Sequence, residues 1–495
     1  MAEDLKAFQA SHDHRRHCVG APKAEELRYW LSFVPKELNR VMAPKPARTK
    51  SDIAWTVMLY KRNIITRETA AKLLDVLKRE GSTGEDLALR DKLGGDEHTA
   101  SVINLGRTLQ EPMSRLQLRG KLLDVLEITL KCLGTLLDKA EENVETVMAG
   151  QTHLSHAQPT TLAAYLLAVH DALSRGLDLL ELAYRHTNQN SAGCGACSGS
   201  GWDIDRDMIS ELLGFDELVE VCYDCEPGQD HALTILFAAT HLGTILSRAA
   251  MDFNIWGMEE IGMVDVAPGW RGQSSFMPQK SIPGSQFERT RQEASIVVGE
   301  MIRGVVSNKG EPYADMLPIY EAWRAALSAM CHLQKAMGFF EGLMRNTNPN
   351  KEVMLKFARE GFSATPDLAI KLIRDRGCAG RQAHRICATM VRIARERGIK
   401  ACEVTGELLD EAARIVNEEP PHLTTEEVRE ALDPVKFIYR HNNVGDPHPD
   451  ESRRMIAKRR KWLEEAKARH AERVRRIEEA DKKLNAEVEA ILAGK

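Results

Sequence analysis

Aromatic residues are scarce in this 495-residue chain, at 5%, and β-branched residues are thin beside Leu, Ala, Glu, Lys and Arg. That composition disfavours a large sheet core and favours helix. No sign of charge dominates: a formal net charge of −5 gives no electrostatic case for nucleic acid or for an anionic membrane surface. No uninterrupted apolar run reaches the roughly 18 residues that span a bilayer. The opening MAEDLKAFQASHDHRRHC lacks the apolar segment of a secretory signal. A cytoplasmic location is the expectation. Ten cysteines would then be reduced thiols, metal ligands or redox groups rather than structural disulfides.

What the chain does have is helical periodicity. DIAWTVMLYKRNIITRETAAKLLDVLKRE reads as two helices joined at Asn63, with Thr66 as N-cap and Glu68 in the first turn. Over 121–148, Leu122, Val125, Leu126, Leu130, Leu133 and Leu137 form one stripe down a long helix. Further long helices are predicted at about 160–187, 231–256 and 284–307, the second apolar over more than one face and so suited to a bundle. The pattern divides the chain into an N-terminal helical domain with an irregular extension (1–110), a central bundle (111–350), a small helical domain (351–450) and a charged helix (451–495). That last helix reads as solvated or as a brace between subunits, and HDHRRHC at 12–18 as a solvated tail.

Between the helices lie loops dense in Gly, Ser, Cys and His. AGQTHLSHAQP sets Thr152 beside His153 at a predicted helix–helix junction, where an oriented imidazole serves as acid or base. GQSSFMPQKSIPGS is more specific. A serine becomes a base only when its alkoxide is stabilised, and Lys280 with neighbouring backbone N–H groups supplies that. The approach VAPGWRGQSS has the glycine content of a mobile lid.

SSFMPQK resembles the SSxMPxKxNP signature of the fumarase/aspartase/argininosuccinate lyase superfamily, and AGQTHLSHAQP resembles its GxTHxQxAQP region, in the form nearest argininosuccinate lyase. WDIDRDMISELLGFDE, the first helical pair, and GFSATPDLAIKLIRDRG with AHRICATMVRIARERG are similar to the same branch, so the resemblance spans roughly residues 50–450. It implies a mostly α, three-domain fumarase/aspartase-type fold whose long-helix bundle forms a homotetrameric core with shared active sites. It implies β-elimination from a small carboxylate substrate without a cofactor. Ser274 would be the base, Lys280 would stabilise the aci-carboxylate, and Thr152 and His153 would attend the leaving group. Ser275, Gln158, Asn308 and Lys309 would contact substrate.

The departures from that pattern are as informative. Ile282 stands where the family has an Asn that bonds a substrate carboxylate, and an oxygen left unpaired there costs about 1–3 kcal/mol. Phe287 falls at the position of the histidine-orienting glutamate, and a one-residue insertion would hand that role to Glu288. In HTASVINLGRTLQEP one register keeps Asn104 but replaces the family's Ser and Arg by Val102 and Ile103, whereas a second register brings Arg107 and Thr108 to the site. The Tyr and Gln that hold the arginine part of argininosuccinate are missing from SNKGEPYADMLPIY. A substrate other than argininosuccinate is therefore expected, with C–N cleavage from an amino-acid-derived carboxylate.

Two CxxC pairs remain, Cys194 with Cys197 and Cys222 with Cys225. They read either as small residues in tight turns or as a zinc or Fe–S ligand set. Two other functional readings accompany the leading one: C–O or C–S elimination, or the reverse addition, with a Cys-bound metal at the site; and a catalytically silent structural or binding protein.

Overall fold

Apolar stripes interrupted only by turn chemistry make this chain helical, and in the computed structural model, which describes residues 23–82, 84–108 and 112–494, helices carry nearly all of the core. The histidine-rich 12–18 segment lies outside the described residues. Six long helices set the architecture: α1 (Met113–Glu142), α2 (Leu162–Thr187), α3 (Asp230–Trp256), α4 (Ser285–Asn308), α5 (Tyr320–Asn346) and α6 (Pro449–Ala493). The first five form a bundle in which α5 packs against α1, α3 and α4.

Helix α5 is the one long helix that periodicity does not single out. Of its 27 residues 20 are buried, so no polar face alternates with an apolar one. Two of its glycines admit neighbours closely. A Cβ on Gly338 would overlap the Trp30 ring, and one on Gly342 would overlap Trp270. On another side, Glu293 of α4 accepts hydrogen bonds from His332 Nδ1 at 2.6 Å and Lys335 Nζ at 2.7 Å of α5. Burial favours the neutral acid there, but these donors outweigh it and hold the Glu293 carboxyl below its ordinary range.

In the N-terminal region Lys45–Lys61 and Arg67–Glu80 meet at Asn63, whose φ is 57°, and Thr66 Oγ1 accepts from the Thr69 amide at 3.3 Å. Both features follow the sequence expectation. The helix predicted to run to 148 instead stops at Glu142. Val144, Thr146 and Val147 favour extended backbone, and the chain enters a hairpin of β1 (Val147–Thr152) and β2 (Ser155–Thr161). The predicted helix–helix junction is thus two strands and a turn. Residues 351–440 form short helices around a core that includes Leu372, Met390, Leu409 and Val428.

The C-terminal helix departs from its reading as a solvated element. Ile456, Leu463 and Ala466 enter the bundle core, while Leu484, Val488 and Ile491 enter the N-terminal core beside Leu73 and Leu77. Its charges pair with the same chain: Arg459 Nε with Asp171 at 2.6 Å, Arg460 with Glu141 at 2.6 Å, and Arg476 with Asp216 at 2.8 Å. Helix α3 also needs a correction. Among the described residues it is the one helix long and apolar enough to cross a membrane, yet half of its most apolar stretch is buried within the bundle.

Because Leu484 fills space among α6 and the two N-terminal helices, Leu484→Ala should destabilise the fold by about 2 to 4 kcal/mol. Urea unfolding followed by circular dichroism would measure this, and an unchanged midpoint would mean that α6 packs elsewhere.

Candidate active site

Ser274 opens the loop of a two-stranded hairpin, β3 (Gly272–Gln273) paired antiparallel with β4 (Ser281–Ile282). Its Oγ accepts two backbone hydrogen bonds, from Phe276 N at 3.2 Å and Met277 N at 2.9 Å. Two N–H dipoles aimed at one hydroxyl oxygen favour its alkoxide over its alcohol. The turn continues with Lys280 N donating to Met277 O at 3.0 Å. The tip is open to solvent, with Phe276 86% exposed.

The hairpin base, by contrast, is pinned on every side. Trp270 is buried and its ring lies against Gly342 of α5. Arg271 Nε donates to Val266 O at 3.1 Å, its Nη1 donates to Ser281 Oγ across the hairpin at 3.1 Å, and its Nη2 pairs with Asp265. Asn254 Nδ2 of α3 donates to Gly284 O at 3.1 Å. The glycine-rich approach is therefore an anchored base rather than the hinge of a lid. These three anchoring residues were not legible in the sequence, although Trp270 and Arg271, two bulky residues between glycines, were the signal available.

Beyond the hairpin, Phe287 and Glu288 do opposite things. Phe287 is buried and stacks on Phe253, with centroids 5.2 Å apart, whereas Glu288 is exposed. A groove of about 690 Å3 between α3 and the start of α4 is lined by Lys280, Ile282, Glu288 and Arg291, with Met251 and Met258 opposite. It gathers a lysine, a carboxylate and an arginine beside an apolar wall.

Thr152 and His153 occupy the tip of the β1–β2 hairpin, all exposed. Thr152 pairs with Ser155 across a two-residue turn in which His153 and Leu154 both have positive φ, 55° and 56°. Such turns ordinarily use Asn and Gly, so two side-chain-bearing residues here hold backbone strain, a feature that gathers at functional sites. A bulge at Gly150, where a Cβ would come within 2.7 Å of Gln158 O, re-aims the tip. Gln158 is exposed on β2. This hairpin leans on Lys351–Glu360 and Pro434–Arg440, not on the elements that carry Ser274.

Residues 49–299 match the lyase family and residues 362–439 match the argininosuccinate lyase C-terminal family. The chain belongs to the argininosuccinate lyase branch of the fumarase/aspartase superfamily. It is 32% identical over 459 residues to argininosuccinate lyase of Methanothrix thermoacetophila, covering 88% of this chain and 91% of that one. With argininosuccinate lyase of Methanocaldococcus jannaschii it is 30% identical over 445 residues, covering 86% and 90%. The fold is similar to that of a variant of EDDS lyase with bound fumarate (TM-score 0.88, 28% identity, covering 95% and 96%). It also resembles fumarate lyase from Mesorhizobium sp. BNC1 (TM-score 0.69, 17% identity, covering 86% and 98%). This lyase is an enzyme of the C–N bond-cleaving kind.

Several expected substrate contacts of the lyase are engaged elsewhere. Arg107, offered as a replacement cation, is buried: it pairs with Asp52, donates to Ser51 Oγ at 3.2 Å and to Ile103 O at 2.9 Å, and lies 5.1 Å from the Trp55 ring. With its side chain 1% exposed, it braces the N-terminal region and has no reach to a substrate. Asn104 Nδ2 donates to Gly84 O at 3.2 Å, and Thr108 is half-buried nearby. Asn308 and Lys309 lie at the far end of α4, 20 residues from Glu288, or about 30 Å along the axis.

The cysteines do not converge as a metal site. Cys194 Sγ donates to Gly195 O at 3.3 Å and faces Glu226 Oε1 at 3.6 Å, while Cys222 and Cys225 both turn toward Arg206. Among the described residues no three His, Cys, Asp or Glu side chains form a ligand set, so the zinc or Fe–S reading of Cys194, Cys197, Cys222 and Cys225 is corrected. None of the nine described cysteines is in a disulfide.

If Trp270 on Gly342 fixes the hairpin, Gly342→Val should accelerate amide hydrogen exchange across 272–285 by about tenfold, the equivalent of 1.4 kcal/mol of local stability. Unaltered exchange there would rule out α5 as the anchor.

Proposed function

We propose that this lyase removes a proton from the carbon next to a carboxylate and expels an amine from the adjacent carbon, leaving an enoate. The observation that carries this reading is the Ser274 Oγ held by two backbone N–H groups in a loop that also bears Lys280. The Ser274 alkoxide takes the carbon-bound proton. The electron pair moves onto the neighbouring carboxylate, where Lys280 offsets the extra negative charge of the aci-carboxylate. The C–N bond then breaks, and the leaving nitrogen takes a proton from His153, with Thr152 alongside and Glu288 orienting the imidazole. Ser275, Gln158, Asn308 and Lys309 complete the substrate contacts.

The chain length between these groups supports a shared site. Glu288 and Asn308 stand about 30 Å apart on one helix, and the Thr152–His153 tip rests on the C-terminal helices. One substrate reaches all of them only when neighbouring chains supply different members, as in a homotetramer. The apolar side chains left exposed on α3 and α4, including Phe237, Ile302 and Val306, are suited to that contact. The cytoplasm is the compartment we assign.

The substrate is an N-substituted amino-acid-derived carboxylate other than argininosuccinate. Ile282 and the two methionines line the Lys280 groove with apolar surface, and Arg107 is already committed to Asp52. A panel of N-substituted amino dicarboxylates and monocarboxylates, followed by ultraviolet absorbance of the enoate, should find turnover on a member other than argininosuccinate. Preferred turnover of argininosuccinate would overturn the specificity. Ser274→Ala should then lower kcat by about 10² to 10⁴ at unchanged secondary structure, and retained turnover would remove Ser274 as base.

A further inference from the structure

Cys222 opens and Cys225 closes a single helical turn, Cys222–Cys225, in the long loop before α3. Spacing of three residues sets both side chains on one face, and both sulfurs meet the same guanidinium. Arg206 Nη1 donates to Cys222 Sγ at 3.6 Å and Nη2 to Cys225 Sγ at 3.4 Å. The guanidinium is itself held in place, with Nε donating to Ala192 O at 2.8 Å, Nη2 to Val219 O at 2.8 Å and Nη1 to Glu220 O at 3.3 Å. Cys222 is half-exposed and Cys225 is buried at 7% exposure. One sulfur is open to an external reagent and the other stands behind it.

The second pair is built differently. Cys194 is fully buried and directed at Glu226, and the Cys197 thiol is pushed up by burial and then by the Glu226 charge. The second pair faces a carboxylate, whereas Cys222 and Cys225 face a fixed cation.

We propose that Cys222 and Cys225 form a dithiol that exchanges with small external disulfides. The Cys222 thiolate attacks one sulfur of an oxidised low-molecular-weight thiol. That S–S bond breaks, one thiolate leaves, and a mixed disulfide forms on Cys222. Cys225 then gives its proton to solvent and attacks Cys222 Sγ, expelling the second thiolate and closing a Cys222–Cys225 disulfide. The external disulfide gains two electrons and becomes two thiols, and the pair loses two. The turn also carries Asp224, whose carboxylate accepts the Tyr313 hydroxyl from the loop after α4. The turn thus touches the segment that follows Asn308 and Lys309, the part of the lyase most distant from the Ser274 hairpin along α4.

The test uses the full chain, folded, incubated with oxidised glutathione, then alkylated, digested and mapped by mass spectrometry. The expected product is a Cys222–Cys225 linkage. Cys225→Ser should stop at one glutathione adduct on Cys222, and Cys222→Ser should leave Cys225 unmodified. Arg206→Lys should slow adduct formation on the Cys225→Ser background by about tenfold, because an ammonium cannot reproduce the two-point contact of the guanidinium with the sulfurs. Should that variant fail to fold, trapping by Cys225→Ser decides alone. Linkage of Cys194 to Cys197 or to Cys225, an adduct accumulating on Cys222 in the unaltered chain, or no reaction at all would each overturn the proposal.

Discussion

Helix α5 has almost no face that it can turn to water, and that constraint organises the rest of the molecule. Burying it takes neighbours on several sides, so α1, α3 and α4 close around it. Trp30 and Trp270 enter the gaps that Gly338 and Gly342 leave. Trp270 directly precedes Arg271 and the serine hairpin. The requirement to cover an apolar helix thereby becomes the means of placing the Ser274 loop. Phe287 belongs to the same scheme: it occupies the core against Phe253, and the next residue, Glu288, is left to face the groove.

Rigidity and exposure are divided within the hairpin. Its base is held by a buried ring, a guanidinium bonded in three directions and an amide from α3. The tip, with Ser274, stands open, and the two N–H groups that polarise the hydroxyl come from the loop itself. A hydroxyl bonded by its own turn does not depend on a ligand to create its environment. Preorganisation of that sort costs no rearrangement when charge develops at the oxygen. The strained His153–Leu154 turn applies the same logic at the second hairpin, with backbone conformation fixing the aim of a side chain.

Much of this was legible in the residues. Periodicity located α2, α3 and α4, Thr66 announced a helix start, and the SSFMPQK and THLSHAQP segments pointed to the lyase family. The failures have physical causes. Helix α5 gives no stripe because it is buried nearly all round. The 121–148 pattern continued past Glu142 because leucine spacing does not register the β-branched run that turns the chain into a strand. Arg107 looked available because sequence cannot say that Asp52, 55 residues earlier, faces it in the core. The cysteine pairs had ligand-like spacing, but a guanidinium from the intervening helix donates to two of the sulfurs. Ile282 was visible in the sequence as an apolar residue in a polar run, and the structure adds the methionines around it.

Helix α6 ties the beginning of the chain to its end. Leu73 and Leu77 share one core with Leu484, Val488 and Ile491. At ribosomal speeds, about 400 residues of synthesis separate these partners by roughly 20 to 80 seconds. During that interval the part of the N-terminal core that α6 fills stays open. A nascent chain of this enzyme is therefore born with its first core unfinished, a period in which holding chaperones have a defined surface to occupy.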